Sequence, residues 1–131
     1  NLGVLEASGE KLVFLDDRYK PKQDDFISKF VENLRPKMWL YGNKGKKKDF
    51  VENVSCIYKQ ELIDAGMFNT TIKSYGFQSQ ELRVRFRRQK FNLKYIEEAE
   101  VETIFNTKSK YTKKAEIIKS KNALWKLGLN R

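Results

Sequence analysis

The chain has 131 residues, 40% hydrophobic and 13% aromatic, enough for one modest core and short for two. Its 27 Lys and Arg outnumber 17 Asp and Glu, and a net charge of +10 points to a polyanionic partner, nucleic acid ahead of an anionic membrane surface or an acidic protein. Histidine is absent, which excludes His-based acid–base catalysis, His-containing zinc sites and the usual nucleophilic triads.

Residues 1–23 read as an N-terminal extension. "NLGVLEASGEK" lacks the charged start and apolar centre of a signal peptide, and "EKLVFLDD" fits either a short strand or a turn of helix. Pro21 disfavours helix at Lys20, so "YKPKQ" is a connector. The domain expected over residues 24–106 opens with "DDFISKFVENLRPKMW". Phe26, Ile27, Phe30, Val31 and Leu34 fall there at helical spacing behind Asp24 or Asp25, either of which can cap the first turn. Pro36 ends or bends this helix, with Met38 and Trp39 just beyond.

"YGNKGKKK", from Tyr41, is a glycine-punctuated loop without the Walker spacing and, on this reading, without a strand before it. Its lysines, Lys44, Lys46, Lys47 and Lys48, make it either a solvated linker or a phosphate-contacting arm. A second helix is expected in "KKDFVENVSCIYKQELIDAG". Phe50, Val51, Val54, Ile57, Tyr58 and Leu62 form its apolar stripe, Asp49 stands near its positive end, and Gly66 closes it. Cys56, the one cysteine, falls on that buried face and has no partner for an intramolecular disulfide, which suits a reducing compartment. The glycosylation-type triplets at Asn53 and Asn69 read as chance matches.

The most basic stretch is "LRVRFRRQKFNLKY", Leu82 to Tyr95, with six basic residues and no acidic one. As a hairpin, Leu82, Val84 and Phe86 alternate with arginines, and Phe91, Leu93 and Tyr95 repeat the pattern. The connection "RRQK" lacks the Gly, Asn, Asp or Pro that tight hairpin turns draw on. As a helix beginning near Ser79, the stretch stacks Leu82, Phe86, Leu93 and Ile96 in one stripe. Arg83, Arg87, Lys90 and Lys94 then form an adjacent ridge at i, i+4, i+7 and i+11. Val84, Phe91 and Tyr95 make a second apolar patch, and "IEEAE" continues the helix, which is the reading adopted. The run "EEAEVE" reads as a solvated helix face rather than a catalytic carboxylate pair. Residues 107–131 form a lysine-rich tail. Ala115, Ile118, Asn122 and Trp125 stand in helical register there, so a fourth, basic helix is expected, with a disordered tail as the alternative.

This order of elements resembles a MADF domain, a Myb/SANT-like three-helix module of animal chromatin and transcription proteins. "FISKFVENLRPKMW" is similar to that family's opening motif through Pro36 and Trp39. Phe50 matches the aromatic residue leading its second helix, and Arg85 with Phe86 stands where its third helix carries an Arg-Trp pair. The resemblance spans roughly residues 25–99 and implies an all-α, helix-turn-helix bundle in a nuclear, DNA-binding, transcription-regulating protein, with chromatin proteins or self-association as further contacts.

From the residues themselves, Arg83, Arg87, Lys90 and Lys94 are expected to face duplex DNA, with Arg85 and Arg88 flanking and Lys44, Lys46, Lys47 and Lys48 adding sequence-independent affinity. The alternative is a protein-interaction module anchored by Val84, Phe91 and Tyr95. A further alternative places the stretch as the hairpin wing of an RNA-binding or winged domain. No enzymatic activity, cofactor, metal or membrane partner is expected.

Overall fold

A five-stranded mixed sheet, not a bundle of three helices, organises the chain. The computed structural model describes residues 1–46, 48–73 and 77–104. In chain order these are α1 (Leu2–Glu6), β1 (Lys11–Leu15), β2 (Tyr19–Pro21), α2 (Phe26–Asn33), β3 (Met38–Asn43), β4 (Val54–Tyr58), α3 (Lys59–Asp64), α4 (Gln78–Arg88) and β5 (Asn92–Thr103). The strand order is β1-β4-β3-β5-β2; β3 and β5 run parallel and the other three pairs antiparallel. The all-α, helix-turn-helix expectation is therefore overturned, together with the three-helix arrangement that the MADF resemblance implies. The basic fourth helix and Lys47 lie outside the described residues.

The expected first helix is present as α2, with Asp25 at its N-cap. The Asp25 side chain makes no capping hydrogen bond and instead pairs with Lys29 one turn on, at 3.1 Å. The expected second helix is half strand. Val54, Ser55, Cys56 and Ile57 of β4 are all buried, because the sheet is covered on both faces there. A strand buried on both sides loses its polar alternation, and its apolar residues then fit helical spacing by coincidence. Only Lys59–Asp64 is helical, and Gly66 closes it as expected. Its amide donates to Ile63 O and that of Met67 to Leu62 O, the paired bonds of a Schellman cap, with Gly66 at φ 96°.

The same device resolves the stretch from Leu82 to Tyr95, which is a helix followed by a strand. α4 stops at Arg88, Lys90 takes the left-handed position at φ 67°, and the amides of Lys90 and Phe91 donate to Arg87 O and Phe86 O. The Phe91 ring folds back on Phe86, edge on at 4.8 Å between centroids, supplying the apolar contact that accompanies such a cap. A lysine thus takes the backbone conformation for which glycine is the usual choice, and burial of Phe91 offsets its steric cost.

Two cores lie on opposite faces of the sheet. Trp39, Ile57 and Leu12 pack with Leu62, Leu82, Phe86 and Phe91, under α3 and α4. Leu40, Cys56, Val54 and Ile96 pack on the other face with Phe26, Phe30 and Leu34 from α2 and its C-cap. Burial there pushes the Cys56 thiol up to about 11.

The sheet also curls. β1 and β2 occupy opposite edges yet are joined by only Asp16, Asp17 and Arg18. Four strand spacings across a flat sheet come to about 19 Å, whereas the four chain steps from Leu15 to Tyr19 reach at most about 14 Å. The sheet therefore bends nearly into a barrel. Arg18 donates from Nε and Nη2 to the Asp16 carboxylate at 2.9 Å, fastening the tight connection and holding Asp16 at about 2, well below the usual carboxylate range. The bend in β5 falls where its register with β3 jumps: Gly42 pairs with Ile96 but Asn43 with Glu100.

Gly42 sits at this corner because nothing larger fits. A Cβ there would lie 2.6 Å from Ala99 O and 2.8 Å from Val54 Cγ1. Gly42→Ala is expected to lower stability by about 1 to 3 kcal/mol, as overpacking of a filled site does, measured by urea denaturation. A change below about half a kcal/mol would show that the corner has room to relax.

Candidate nucleic-acid interface

Parallel pairing of β3 with β5 brings Tyr41 opposite Tyr95. Strand alternation puts both on the face that carries Trp39 and Leu93, the side covered by α4. α4 covers Trp39 with Phe86, ring centroids 4.6 Å apart, but leaves the two tyrosines half-buried. Their rings lie 5.6 Å apart and are tilted, and Tyr41 also meets Phe50 edge on at 5.6 Å. The Tyr41 hydroxyl donates to Lys48 O at 3.0 Å, tying the β3–β4 loop to the platform.

Cations stand around this pair. Arg83 and Arg87, one turn apart on α4, are close enough to lower the Tyr41 phenol electrostatically, an effect smaller than the rise that burial causes. Neither arginine forms an ion pair among the described residues. The Lys48 ammonium lies 4.9 Å from the Tyr95 ring centroid and 3.7 Å from Glu97 Oε1. The Tyr95 phenol is raised, first by burial and then by Glu97 and Glu100, the latter paired with Lys22 at 2.6 Å.

The helical ridge expected from the sequence is only half realised. Arg83 and Arg87 share a flank of α4, but Lys90 stands in the turn. Lys94, exposed on β5, alternates with Leu93 and Tyr95 and therefore belongs to the opposite sheet face. Arg88 is exposed at the end of α4.

Arg85 is committed elsewhere. Its guanidinium pairs with Glu81, 2.6 Å from Nε to Oε1, and donates to the carbonyls of Ala65 and Met67 behind α3. It ties α4 to the loop after α3 and does not face solvent as a ligand group would. Lys44 is also internal: its ammonium donates to Asn53 Oδ1 at 3.1 Å, and burial lowers its pKa. Lys46 is exposed on the loop. Of the alternative apolar anchor, Val84 and Tyr95 are half-buried, but Phe91 is core, capped by the Lys37 ammonium at 4.4 Å.

Sequence reasoning missed Tyr41 by assigning it to a loop. The usable signal was Trp39 and Tyr41 two residues apart, an aromatic alternation that fits a strand end. Together these features define a small mixed α/β domain with an aromatic and basic face. Compared with known proteins, the chain matches no family model and no curated protein.

Proposed function

We propose that this domain binds nucleic acid through the face formed by α4, the β3–β4 loop and the Tyr41–Tyr95 pair. The observation that carries the reading is that Arg83 and Arg87, without carboxylate partners among the described residues, stand on the helix that covers the Tyr41–Tyr95 face of the sheet, near enough for their charge to act on Tyr41. Unpaired guanidiniums are ready to take phosphates, each contact releasing a condensed counterion, and the chain's net charge of +10 draws a polyanion toward the surface. Lys46 and Lys48 extend the same field along the loop. α4 is only 11 residues long, with Leu82 and Phe86 buried, so it presents a flank rather than a free helix to a ligand.

The test is fluorescence anisotropy with a labelled oligonucleotide at several salt concentrations. Arg83→Gln together with Arg87→Gln is expected to reduce the slope of log K against log salt by about 1.5, two contacts at roughly 0.7 to 0.9 each. Affinity is expected to fall at least tenfold at low salt, with the melting temperature little changed. An unaltered slope and affinity would remove this face from the binding site.

A further inference from the structure

We propose that the ligand of this face is single-stranded nucleic acid, held by an unpaired base stacked on Tyr95 in place of the Lys48 ammonium. The inference rests on the nucleic-acid reading above and specifies which form of nucleic acid the site accepts.

The platform is built before any ligand arrives. A chain of ring contacts runs outward from the core: Phe86 to Trp39 at 4.6 Å, Trp39 to Phe50 at 5.1 Å, Phe50 to Tyr41 at 5.6 Å and Tyr41 to Tyr95 at 5.6 Å. The first three rings are buried, so the last two are braced from beneath and lose little freedom when a base settles on them. Aromatic rings on a solid floor beside free cations are what strand-binding surfaces use, because every base has a π-face and every nucleotide a phosphate. A duplex keeps its base faces stacked internally and offers none to such a ring.

Lys48 marks where the base goes. Its ammonium lies over the Tyr95 ring, which shows that the ring face can accept a ligand from the solvent side. Among the described residues, only a water-screened pair with Glu97 restrains it, with the two side chains 64% and 71% exposed. The ammonium is free to leave the ring for a phosphate, exchanging one electrostatic contact for another. The charges also orient the strand. Phosphates follow Arg83 and Arg87 on the Tyr41 side, away from Glu97, whose exposed carboxylate the departing Lys48 leaves open to a hydrogen bond from an exocyclic base amine; Glu100 is held by Lys22 at 2.6 Å.

The test uses the full chain and labelled 12-nucleotide dT and rU strands, with a blunt DNA duplex of the same length as the comparison. The single strands are expected to bind more tightly than the duplex, and the dT and rU arms report whether the sugar matters. Tyr95→Leu, which keeps apolar cover but has no stacking face, is expected to weaken strand binding between about 5-fold and 100-fold and so to narrow the preference for strand over duplex. Tyr95→Phe is expected to bind like the unaltered protein, and melting temperatures of both variants establish that they are folded. Equal or tighter duplex binding, or folded Tyr95→Leu binding the strands normally, overturns the stacking proposal while leaving the arginine-based reading intact. Failure of all three ligands to bind overturns both.

Discussion

Arg85→Met is expected to destabilise the domain by about 3 to 5 kcal/mol, the cost of removing one partner from a buried ion pair. The Glu81 side chain is 1% exposed and the Arg85 side chain 18%, so the carboxylate is left poorly compensated when the guanidinium goes. The Glu81 carboxylate and the Met67 carbonyl lose their donor together, and the Ala65 carbonyl keeps a longer hydrogen bond, 3.4 Å from Gln89 Nε2. The contrast that tests this account is the double variant Glu81→Leu with Arg85→Met. It removes both charges and fills their space with apolar atoms, so it is expected to recover most of the loss, leaving the cost of the lost donor at Met67 O and the weakened contact at Ala65 O. Chemical denaturation of the two single variants and the double variant gives the coupling energy directly. If Arg85→Met costs less than about 1 kcal/mol, the pair is not the fastening between α4 and the loop after α3 that its geometry indicates.

The pair shows why the most basic stretch of the chain was only partly legible. Glu81 and Arg85 stand at i and i+4, a spacing visible in the sequence, yet their burial depends on where the loop from Ala65 to Met67 returns, which no local pattern records. The helical and alternating readings of Leu82 to Tyr95 were each right for part of it. The switch at Lys90 was hidden because a lysine occupies the left-handed position and the stopping signal is tertiary, the Phe91 ring docking on Phe86.

β4 escaped for a different reason. Its residues are apolar on both faces, and only β-branched Val54 and Ile57 argued for a strand within a pattern that helical spacing matched equally well. The apolar stripe of α2 was readable because polar Ser28, Glu32 and Asn33 lie exposed opposite buried Phe26, Phe30 and Leu34, although Ile27, counted in the stripe, is 58% exposed. At the site, Arg83 and Arg87 were legible from composition and spacing. Their tyrosine neighbours were not, since Tyr41 and Tyr95 are 54 residues apart and meet only through the parallel pairing of β3 with β5.

Trp39→Ala is expected to cost about 3 to 5 kcal/mol, the range for deleting a buried large aromatic side chain. That is a large share of the 5 to 15 kcal/mol typical of a small domain, so the variant is expected to be partly unfolded at moderate temperature. Trp39 is fully buried and touches Phe50 and Phe86, so its loss opens the centre of one core rather than its rim. Its indole N–H also donates to Ser55 Oγ at 3.0 Å, while the Ser55 hydroxyl donates onward to Glu52 O at 2.6 Å. Trp39→Phe separates the two contributions. It retains most of the ring contact and loses the hydrogen bond, at an expected cost of about 1 to 2 kcal/mol including a small residual cavity. Because Trp39 also braces Phe50 beneath Tyr41, folded Trp39→Phe is expected to bind oligonucleotides like the parent. Normal stability of Trp39→Ala by urea denaturation would contradict the central place given to this ring. Weakened binding by stable Trp39→Phe would show instead that Tyr41 and Tyr95 depend on the exact filling of the core below them.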